Sequence, residues 1–419
     1  MMRTEESGLA GDAAQDRAGG PFVRDRLTWM AYIAVATYAF CVYALGPMQA
    51  FIRQELHLSY TLTSLHSTLW AGGSLLTGLT FHRVSRRLGR QRLFWFSALA
   101  TVAGTLLFVA GHAVAVTLLA AAVLGTGGSF FNAGGTVLLA DHHGGRRDQA
   151  IVEANVGASL AGVAVPALLG FLAATAAGWR SGMLLPALIL AVLFAAARHH
   201  PIPPAVEPPA AAAGRLPRRF WALCVLASLT VAIEFCIVFY GIPLLRHQVG
   251  LATADATQLM SLFFVGELVG RLAGARLTRR PGRAKPVIQS ALLTATAGFL
   301  VLWLGRATVL AGAALFVTGA GVGNLYPLTI SLVLGASGGR TDLAMARVQV
   351  ALGLSIAVAP LVLGVLADRF GVHSAFALEL LLLVAAVLIL APIRVRDAAA
   401  PGEISPPRRL RPGGRIPPS

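Results

Sequence analysis

The chain has 419 residues, of which 56% are hydrophobic and only 12% are charged. Soluble domains carry about 25% charged residues, so this composition excludes an ordinary soluble protein. The formal net charge of +16 would suit a nucleic-acid-binding protein. The basic residues, however, cluster in short segments between long apolar runs, so we expect no nucleic-acid partner.

Twelve apolar runs follow one another along the chain and predict transmembrane helices, because about 20 apolar residues span the hydrocarbon core of a bilayer. Helices are expected because lipid-facing backbone must satisfy its own hydrogen bonds. Six spans lie within residues 28–197 and six within residues 220–393. The remaining segments are polar or rich in Pro, Ala and Arg. We expect disordered termini at 1–27 and 394–419, and a linker at 198–219.

The distribution of basic residues predicts the orientation in the membrane. With the N-terminus inside, 28 basic residues fall in inside segments and five in outside loops, while Arg271 lies within a span. An excess of Lys and Arg marks cytoplasmic loops. The sequence therefore predicts a multi-pass protein of the cell inner (plasma) membrane, embedded in the lipid bilayer, with both termini cytoplasmic.

The two halves of the chain are related. Residues 125–173 align without a gap with residues 319–367, a shift of 194, and 15 of the 49 positions are identical. A composition this biased would give about 5 identities by chance. Six helices followed by six similar helices in the same orientation predict two bundles related by an axis along the membrane normal.

The loop after the second span reads His82-Arg83-Val84-Ser85-Arg86-Arg87-Leu88-Gly89-Arg90. With the repeat and the linker, it resembles the major facilitator superfamily. The resemblance implies an all-α integral membrane protein with twelve transmembrane helices in two pseudo-symmetric six-helix bundles, acting as a secondary active transporter. In that family an acid at the position of Arg86 takes part in a charge relay that gates the inner side. Only the basic-Gly-Arg part survives here, so Arg86 and Arg90 are the candidate gating residues of this loop.

The resemblance leaves the branch of the family open. Ala121 stands where many proton-coupled drug exporters carry an arginine, and the tenth span, 319–327, looks like that of sugar permeases. Both features favour uptake of a sugar-like solute by symport. The glycine-rich fifth span, with Gly162 and Pro166, is similar to a motif of exporters and favours efflux by antiport with protons.

Four ionisable residues lie inside predicted spans, where charge is costly and usually functional: Glu234, Glu267, Arg271 and Glu379. Glu234 and Glu267 are candidates for proton coupling or substrate contact. The alternative is pairing with polar groups of neighbouring helices. Glu267 and Arg271 are four residues apart and can form an ion pair, with Arg271 as a candidate gating residue. Glu379 lies near the outer end of the last span and is expected to reach water.

Uncharged residues complete the candidate site. Asn132, Asn324 and Tyr326 lie at midspan in the repeat-related fourth and tenth helices, where substrate sites of such transporters are found. Interhelical hydrogen bonding is the alternative role. The pairs Gly162–Pro166 and Pro360–Gly364 are candidate hinges in the fifth and eleventh helices, with close packing as the alternative.

Other functions find little support in the sequence. The three cysteines lie within apolar runs, no metal-ligand pattern or cofactor motif is present, and no nucleophile–base set indicates an enzyme. The segment 364–371, containing Asp368-Arg369, mimics the signature loop but falls on the outer side, where we expect it only to end the eleventh helix. The expected partners are a small organic solute and protons, bound by a monomer. A receptor or scaffold that transports nothing is the alternative.

Overall fold

The computed structural model describes residues 22–143, 147–203, 216–278, 283–336 and 341–393. Within these ranges the regular structure is entirely α-helical. The helices form twelve units, four of which are divided into segments a and b by a short break. They are α1 Arg26–Glu55, α2 Tyr60–Leu88, α3 Arg90–Ala110, α4 Val114–His143, α5 Arg147–Ala173, α6a Gly178–Gly182 and α6b Leu184–Ala197, α7 Arg218–Val249, α8a Thr253–Leu259 and α8b Ser261–Leu277, α9 Ala284–Leu304, α10a Thr308–Val322 and α10b Leu325–Gly335, α11 Thr341–Phe370, and α12a Val372–Ala375 and α12b Ala377–Leu390.

Large apolar side chains cover the outer surface. Leu99, Leu188, Leu293 and Leu381 are each more than 60% exposed, and they belong to α3, α6b, α9 and α12b. Contiguous apolar surface of this kind requires an apolar solvent. Ten of the described helical units are long and apolar enough to cross a membrane. The predicted all-α integral membrane fold is confirmed.

The two remaining units, α2 and α8, are more polar because they face other helices. In α2, His66 shares a hydrogen bond with Thr117 of α4 (2.9 Å), and Ser74 shares one with Ser129 of the same helix (2.5 Å). The α8 unit is broken at Met260 into a short and a long segment. Polar side chains satisfied by neighbouring helices lower the hydropathy of a span without removing it from the membrane.

Residues 22–27 of the N-terminal segment and residues 198–203 and 216–219 of the linker belong to the described structure. Asp25 caps α1 by accepting the Thr28 N–H (3.0 Å) and contacts His142 of α4 (2.7 Å). These bonds hold the pKa of the Asp25 carboxyl below its usual value, although partial burial alone would raise it. Ile202 of the linker is buried. The rest of the linker, 204–215, and the rest of the termini predicted to be disordered, 1–21 and 394–419, lie outside the described residues.

The two halves have matching helix packing. Within the first half, α2 packs on α4 and α1 on α5; within the second, α8 packs on α10 and α7 on α11. Between the halves, α2 packs along α11 and α5 packs along both segments of α8. Exchanging the halves converts one of these contacts into the other. The pseudo-symmetric arrangement predicted from the repeat is therefore confirmed.

We call the side at which α1 begins and α12 ends the terminal face. The opposite side, at which α1 ends and α2 begins, is the distal face.

Candidate functional site

A cavity of about 920 Å³ lies between the two halves. Its walls are formed by α1, α2, α4 and α5 of the first half and α7, α8, α10 and α11 of the second. The outer helices α3, α6, α9 and α12, which carry the exposed leucines, contribute no lining residue. The cavity therefore belongs equally to both halves, as expected of a site where two bundles meet.

The cavity extends from the middle of the molecule toward the terminal face. On α2 the lining residues run from Trp70 to Gly78, and on α11 from Gln349 to Ile356. Residues Gln54 to Ser64 at the distal end of α1 and α2 are not among them. The described structure is thus open at the terminal face.

At the distal face the two halves are held together by polar contacts. The Asp368 carboxylate of α11 accepts the backbone N–H groups of Tyr60 and Thr61, each at 2.7 Å. These are the first residues of α2, so a carboxylate of one half caps a helix N-terminus of the other. Tyr240 of α7 also donates its hydroxyl to the carbonyl of Tyr60 (3.0 Å). The expectation that the Asp368 segment only ends the eleventh helix was therefore incomplete.

Arg271 is the centre of a charged cluster at the cavity wall. Its Nη2 lies 3.4 Å from Oε2 of Glu267 on the same helix, which confirms the predicted ion pair. Its Nε donates to the carbonyl of Gly323 (3.2 Å), and its Nη1 to the hydroxyl of Ser159 (3.3 Å). Ser159 belongs to α5, so Arg271 joins the two halves at the cavity wall.

The Gly323 carbonyl is available because α10 is interrupted between Val322 and Leu325. Its usual partner in a helix, the N–H four residues later, is also missing, because that residue is Pro327. The same break places the Asn324 amide beside α8b, where it donates to the carbonyl of Gly270 (2.6 Å). A broken helix thus supplies both an acceptor for Arg271 and a polar brace for its helix.

The two predicted acids occupy different layers of the site. Glu234 of α7 lines the cavity and is 8% exposed. Glu267 is 2% exposed and lies behind Arg271, outside the cavity lining, with its Oε1 lacking a hydrogen-bond partner among the described residues. The carboxyl group of Glu234 lies near enough to interact electrostatically with both. The sequence singled out all three residues, but it predicted neither their proximity nor which acid lines the cavity.

The predicted polar residues are brought together only in part. Asn132 and Tyr326 both line the cavity and are related by the repeat shift of 194, so they face each other's half from equivalent positions. Asn324 also lines the cavity, but its amide is used within the protein. Among the described residues, Tyr43 and Ser159 add polar groups that single-sequence patterns gave no reason to select.

The loop arginines lie away from this site. Arg90 forms an ion pair with Asp141 of α4 (2.5 Å), within the first half. Arg86 is exposed at the terminal end of α2. In this conformation the terminal face is open, so neither residue meets a partner from the described part of the second half.

The candidate hinges form part of the contact between the halves. Gly162 faces Tyr43 and Phe264, where a β-carbon would lie 3.3 Å and 3.2 Å from their rings. Gly364 faces the start of α2. The helices α5 and α11 continue through Pro166 and Pro360. The structure therefore shows close packing at the two glycines and uninterrupted helices at the two prolines.

Glu379 differs from its expected environment. It is 0% exposed, and neither carboxyl oxygen has a hydrogen-bond partner among the described residues. The residue lies in the first turn of α12b, close to Cys236 of α7. The short segment α12a adds a further turn of helix between Glu379 and the distal face. The prediction that Glu379 reaches water is wrong.

Two six-helix halves around a central cavity that contains buried ionisable groups define the class of helical membrane transport proteins. The chain belongs to the Major Facilitator Superfamily, whose sequence model matches residues 31–340. The family consists of transporters, so the protein is a membrane transporter of small molecules. No curated protein matches the sequence at a significant level.

Solved structures show the same fold at low sequence identity. A bacterial homolog of the human lysosomal transporter Spinster, inward-facing and occupied, superposes with a TM-score of 0.68 at 14% identity, covering 87% of this chain and 94% of that one. The nucleoside transporter NupG gives 0.69 at 12% identity, covering 87% and 96%. The peptide transporter POT in complex with sulfate gives 0.69 at 15% identity, covering 89% and 95%. These similarities establish the architecture.

Proposed function

We propose that the protein is a proton-coupled secondary transporter that moves a small organic solute by alternating access. The main support for this function is the cluster of Glu234, Glu267 and Arg271 at the cavity. The cluster is linked to the first half by the hydrogen bond from Arg271 to Ser159. Ionisable groups at this depth are expensive and mark transport pathways in membrane proteins.

The charges of the cluster support proton coupling. Two carboxylates and one guanidinium leave one uncompensated negative charge, and the cluster becomes neutral when it takes up a single proton. Moving between two conformations in a low-dielectric site is easiest for a neutral cluster, because an unpaired charge has a large desolvation cost. Glu234 is the proton acceptor that meets the cavity, while Glu267 holds Arg271 in position.

Alternating access requires that the contacts of one face open when those of the other form. Here the distal contacts of Asp368 and Tyr240 are made, and the terminal face is open. The reverse state separates Asp368 from α2 and breaks the bond between Arg271 and Ser159. Gly162 and Gly364 allow the required sliding of α5 and α11, while Arg86 and Arg90 lie where the terminal face closes.

The arginine distribution supports a location in the inner (plasma) membrane with both termini in the cytoplasm. In this orientation the cavity opens to the cytoplasm. One chain supplies both halves of the cavity, which is consistent with action as a monomer.

Proteoliposomes containing a trapped pH-sensitive dye test this function. A small-molecule extract of the cells that produce the protein should cause protons to cross the liposome membrane when the wild-type protein is present, but not when Glu234→Gln is present. Glu379→Gln is the matched control, because it changes an equally buried carboxyl outside the cavity and should behave as wild type. Proton movement that persists in Glu234→Gln would overturn the assigned role. No movement with any extract fraction would favour a receptor that transports nothing.

A further inference from the structure

We infer that the solute is an organic cation with an aromatic or otherwise apolar body, and that it exchanges with a proton at Glu234. This inference rests on the proposed function and adds the substrate class and the direction of transport. It follows from which charges of the cavity are already paired and which remain free for a ligand.

The cavity has few groups that could bind an anionic solute. Arg271 is the only basic residue among its lining residues, all of which lie in the described part of the chain. Its Nε, Nη1 and Nη2 atoms already donate to Gly323, Ser159 and Glu267. An anionic solute would have to compete with these three acceptors while remaining close to two carboxyl groups.

The cavity is well suited to a cation. Glu234 faces the cavity and shares the single charge of Arg271 with Glu267, whose carboxylate is the one that Arg271 contacts. Six aromatic residues line the walls, and aromatic faces attract cations as well as apolar groups. They are Tyr38, Tyr43, Trp70, Phe235, Phe239 and Tyr326. The volume of about 920 Å³ is sufficient for a drug-sized solute.

Proton and cation compete for one negative charge. The groups that face Glu234 from the neighbouring helices are Glu267 and Arg271 on α8, Tyr43 on α1 and Tyr326 on α10. With both acids ionised, this set carries a single net negative charge. A bound cation neutralises it, and so does one proton on a carboxylate, which leaves no charge for the cation.

The consequence is export by antiport. When the terminal face is open, a cation from the cytoplasm enters and one proton leaves the carboxyl group to the cytoplasmic water. When the distal face is open, the more acidic outside returns a proton to Glu234 and releases the cation. The cluster carries one cation on the way out and one proton on the way back, so each cycle moves one positive charge in each direction.

Tetraphenylphosphonium and tetraphenylborate are matched probes, since they have nearly the same size and shape and opposite charges. The protein is reconstituted in nanodiscs, and binding of radiolabelled tetraphenylphosphonium is measured against empty nanodiscs. Binding should be saturable, release about one proton per cation, and weaken by up to about tenfold per pH unit on acidification through the titration of the cluster. Radiolabelled tetraphenylborate, measured in a separate sample, should show no saturable binding above that of empty nanodiscs.

Substitutions distinguish the loss of the Glu234 carboxylate from a general loss of folding. Glu234→Gln should reduce the affinity at least about tenfold, because it removes the ionic attraction inside a low-dielectric site. Glu234→Asp, which keeps the charge, should retain saturable binding, and Glu379→Gln should bind as wild type. Equal binding by Glu234→Gln, saturable binding of tetraphenylborate on its own or binding of the cation independent of pH would each overturn the inference.

The two proposals fail in different ways. If cell extract drives proton movement through the wild type but tetraphenylphosphonium does not bind, the substrate class is wrong and proton coupling stands. If tetraphenylphosphonium binds to Glu234 without releasing a proton, both the exchange and the proposed proton coupling are wrong.

Discussion

Gly170 on α5 and Gly364 on α11 occupy equivalent positions in the two halves and make equivalent contacts with the opposite half. They are related by the repeat shift of 194. A β-carbon at Gly170 would lie 2.7 Å from the carbonyl oxygen of Ala254, and one at Gly364 would lie 2.9 Å from that of Tyr60. Ala254 and Tyr60 are related by the same shift. The distal face is therefore closed by two copies of the same contact, one from each half. In each copy only glycine leaves room for the facing helix.

Alanine at either glycine should force the halves apart at the distal face. We expect Gly170→Ala and Gly364→Ala each to increase the population that is open at that face, and the double variant to increase it further. The measurement is the distance between spin labels at His57 and Arg369, which are exposed on opposite halves, in a variant without the native cysteines. In the labelled wild-type protein the distance between the two labels should be mainly the shorter one, which corresponds to a closed distal face.

Gly72→Ala is the control for these substitutions, because no described atom of a facing helix lies within 4 Å of the position that its added β-carbon would occupy. Its distance distribution should match that of the wild type. Distributions unchanged in Gly170→Ala and Gly364→Ala would show that the distal face tolerates a methyl group and that the contacts are not tight in the membrane.

Asp368 strengthens only one of the two equivalent contacts. The repeat-related position in the first half is Ala174, so α8 receives no such carboxylate cap. Asp368→Asn keeps the shape but removes the charge that faces two N–H groups of α2. Loss of such a cap costs about 1 kcal/mol, so the distal-open population should rise roughly fivefold.

Alkylation of a cysteine introduced at Ser64, which is buried at this contact, measures that population through its rate. The neighbouring exposed Arg369 provides a control, since Arg369→Gln alters the local charge without removing the cap and should leave the rate unchanged. An Asp368→Asn rate equal to that of wild type would show that the cap does not hold the face closed.

The sequence predicted the architecture well because the repeat and the apolar runs are strong signals. It also singled out Glu234, Glu267 and Arg271, which the structure places near one another, since charge inside a span always requires an explanation. Rotation of a helix about its axis was harder to predict, because lipid and the bundle interior are both apolar. This is why Glu379 was expected at water although it is buried.

Contacts between distant residues could not be predicted from one sequence. Asp368 and Tyr60 are 308 positions apart, and no pattern in either segment indicates the other. Ser159, 112 positions from Arg271, is a hydroxyl among many in small-residue helices. The signature-like segment around Asp368 was the available signal, and it was assigned to a helix end because its side of the membrane differs from that of the family loop.

Asn132 and Asn324 should respond differently to the same substitution. The Asn324 amide braces α8b through the carbonyl of Gly270, whereas Asn132 lines the cavity and its side chain has no such brace among the described contacts. We expect Asn324→Ala to lower thermal stability by about 1 kcal/mol, the usual net value of a hydrogen bond. Asn132→Ala should leave stability unchanged and weaken solute binding, measured with tetraphenylphosphonium. The reverse pattern would exchange the roles of the two residues.

The ion pair of Glu267 and Arg271 should show strong coupling in a double-mutant cycle. Arg271→Gln leaves two buried acids without a cation, and removal of one partner of a buried pair costs about 3–5 kcal/mol. Glu267→Gln in addition removes one of these acids, so the double variant should be more stable than Arg271→Gln alone. Thermal unfolding in detergent measures all four proteins. Additive losses would show that Glu267 and Arg271 do not depend on each other.

Glu379 should be a site at which a change increases stability. Its carboxyl group is fully buried in the second half, and both oxygens lack a partner among the described residues. Burial of an unsatisfied polar group costs about 1–3 kcal/mol in proteins, so Glu379→Met, of similar length and without the polar atoms, should raise the unfolding temperature. Glu379→Gln keeps a buried polar group and should change it little. If Glu379→Met is less stable than wild type, while binding of tetraphenylphosphonium is retained, the carboxyl group has a stabilising partner in the membrane-embedded protein. If binding is lost in both variants, this acid takes part in transport and the site extends beyond the central cavity.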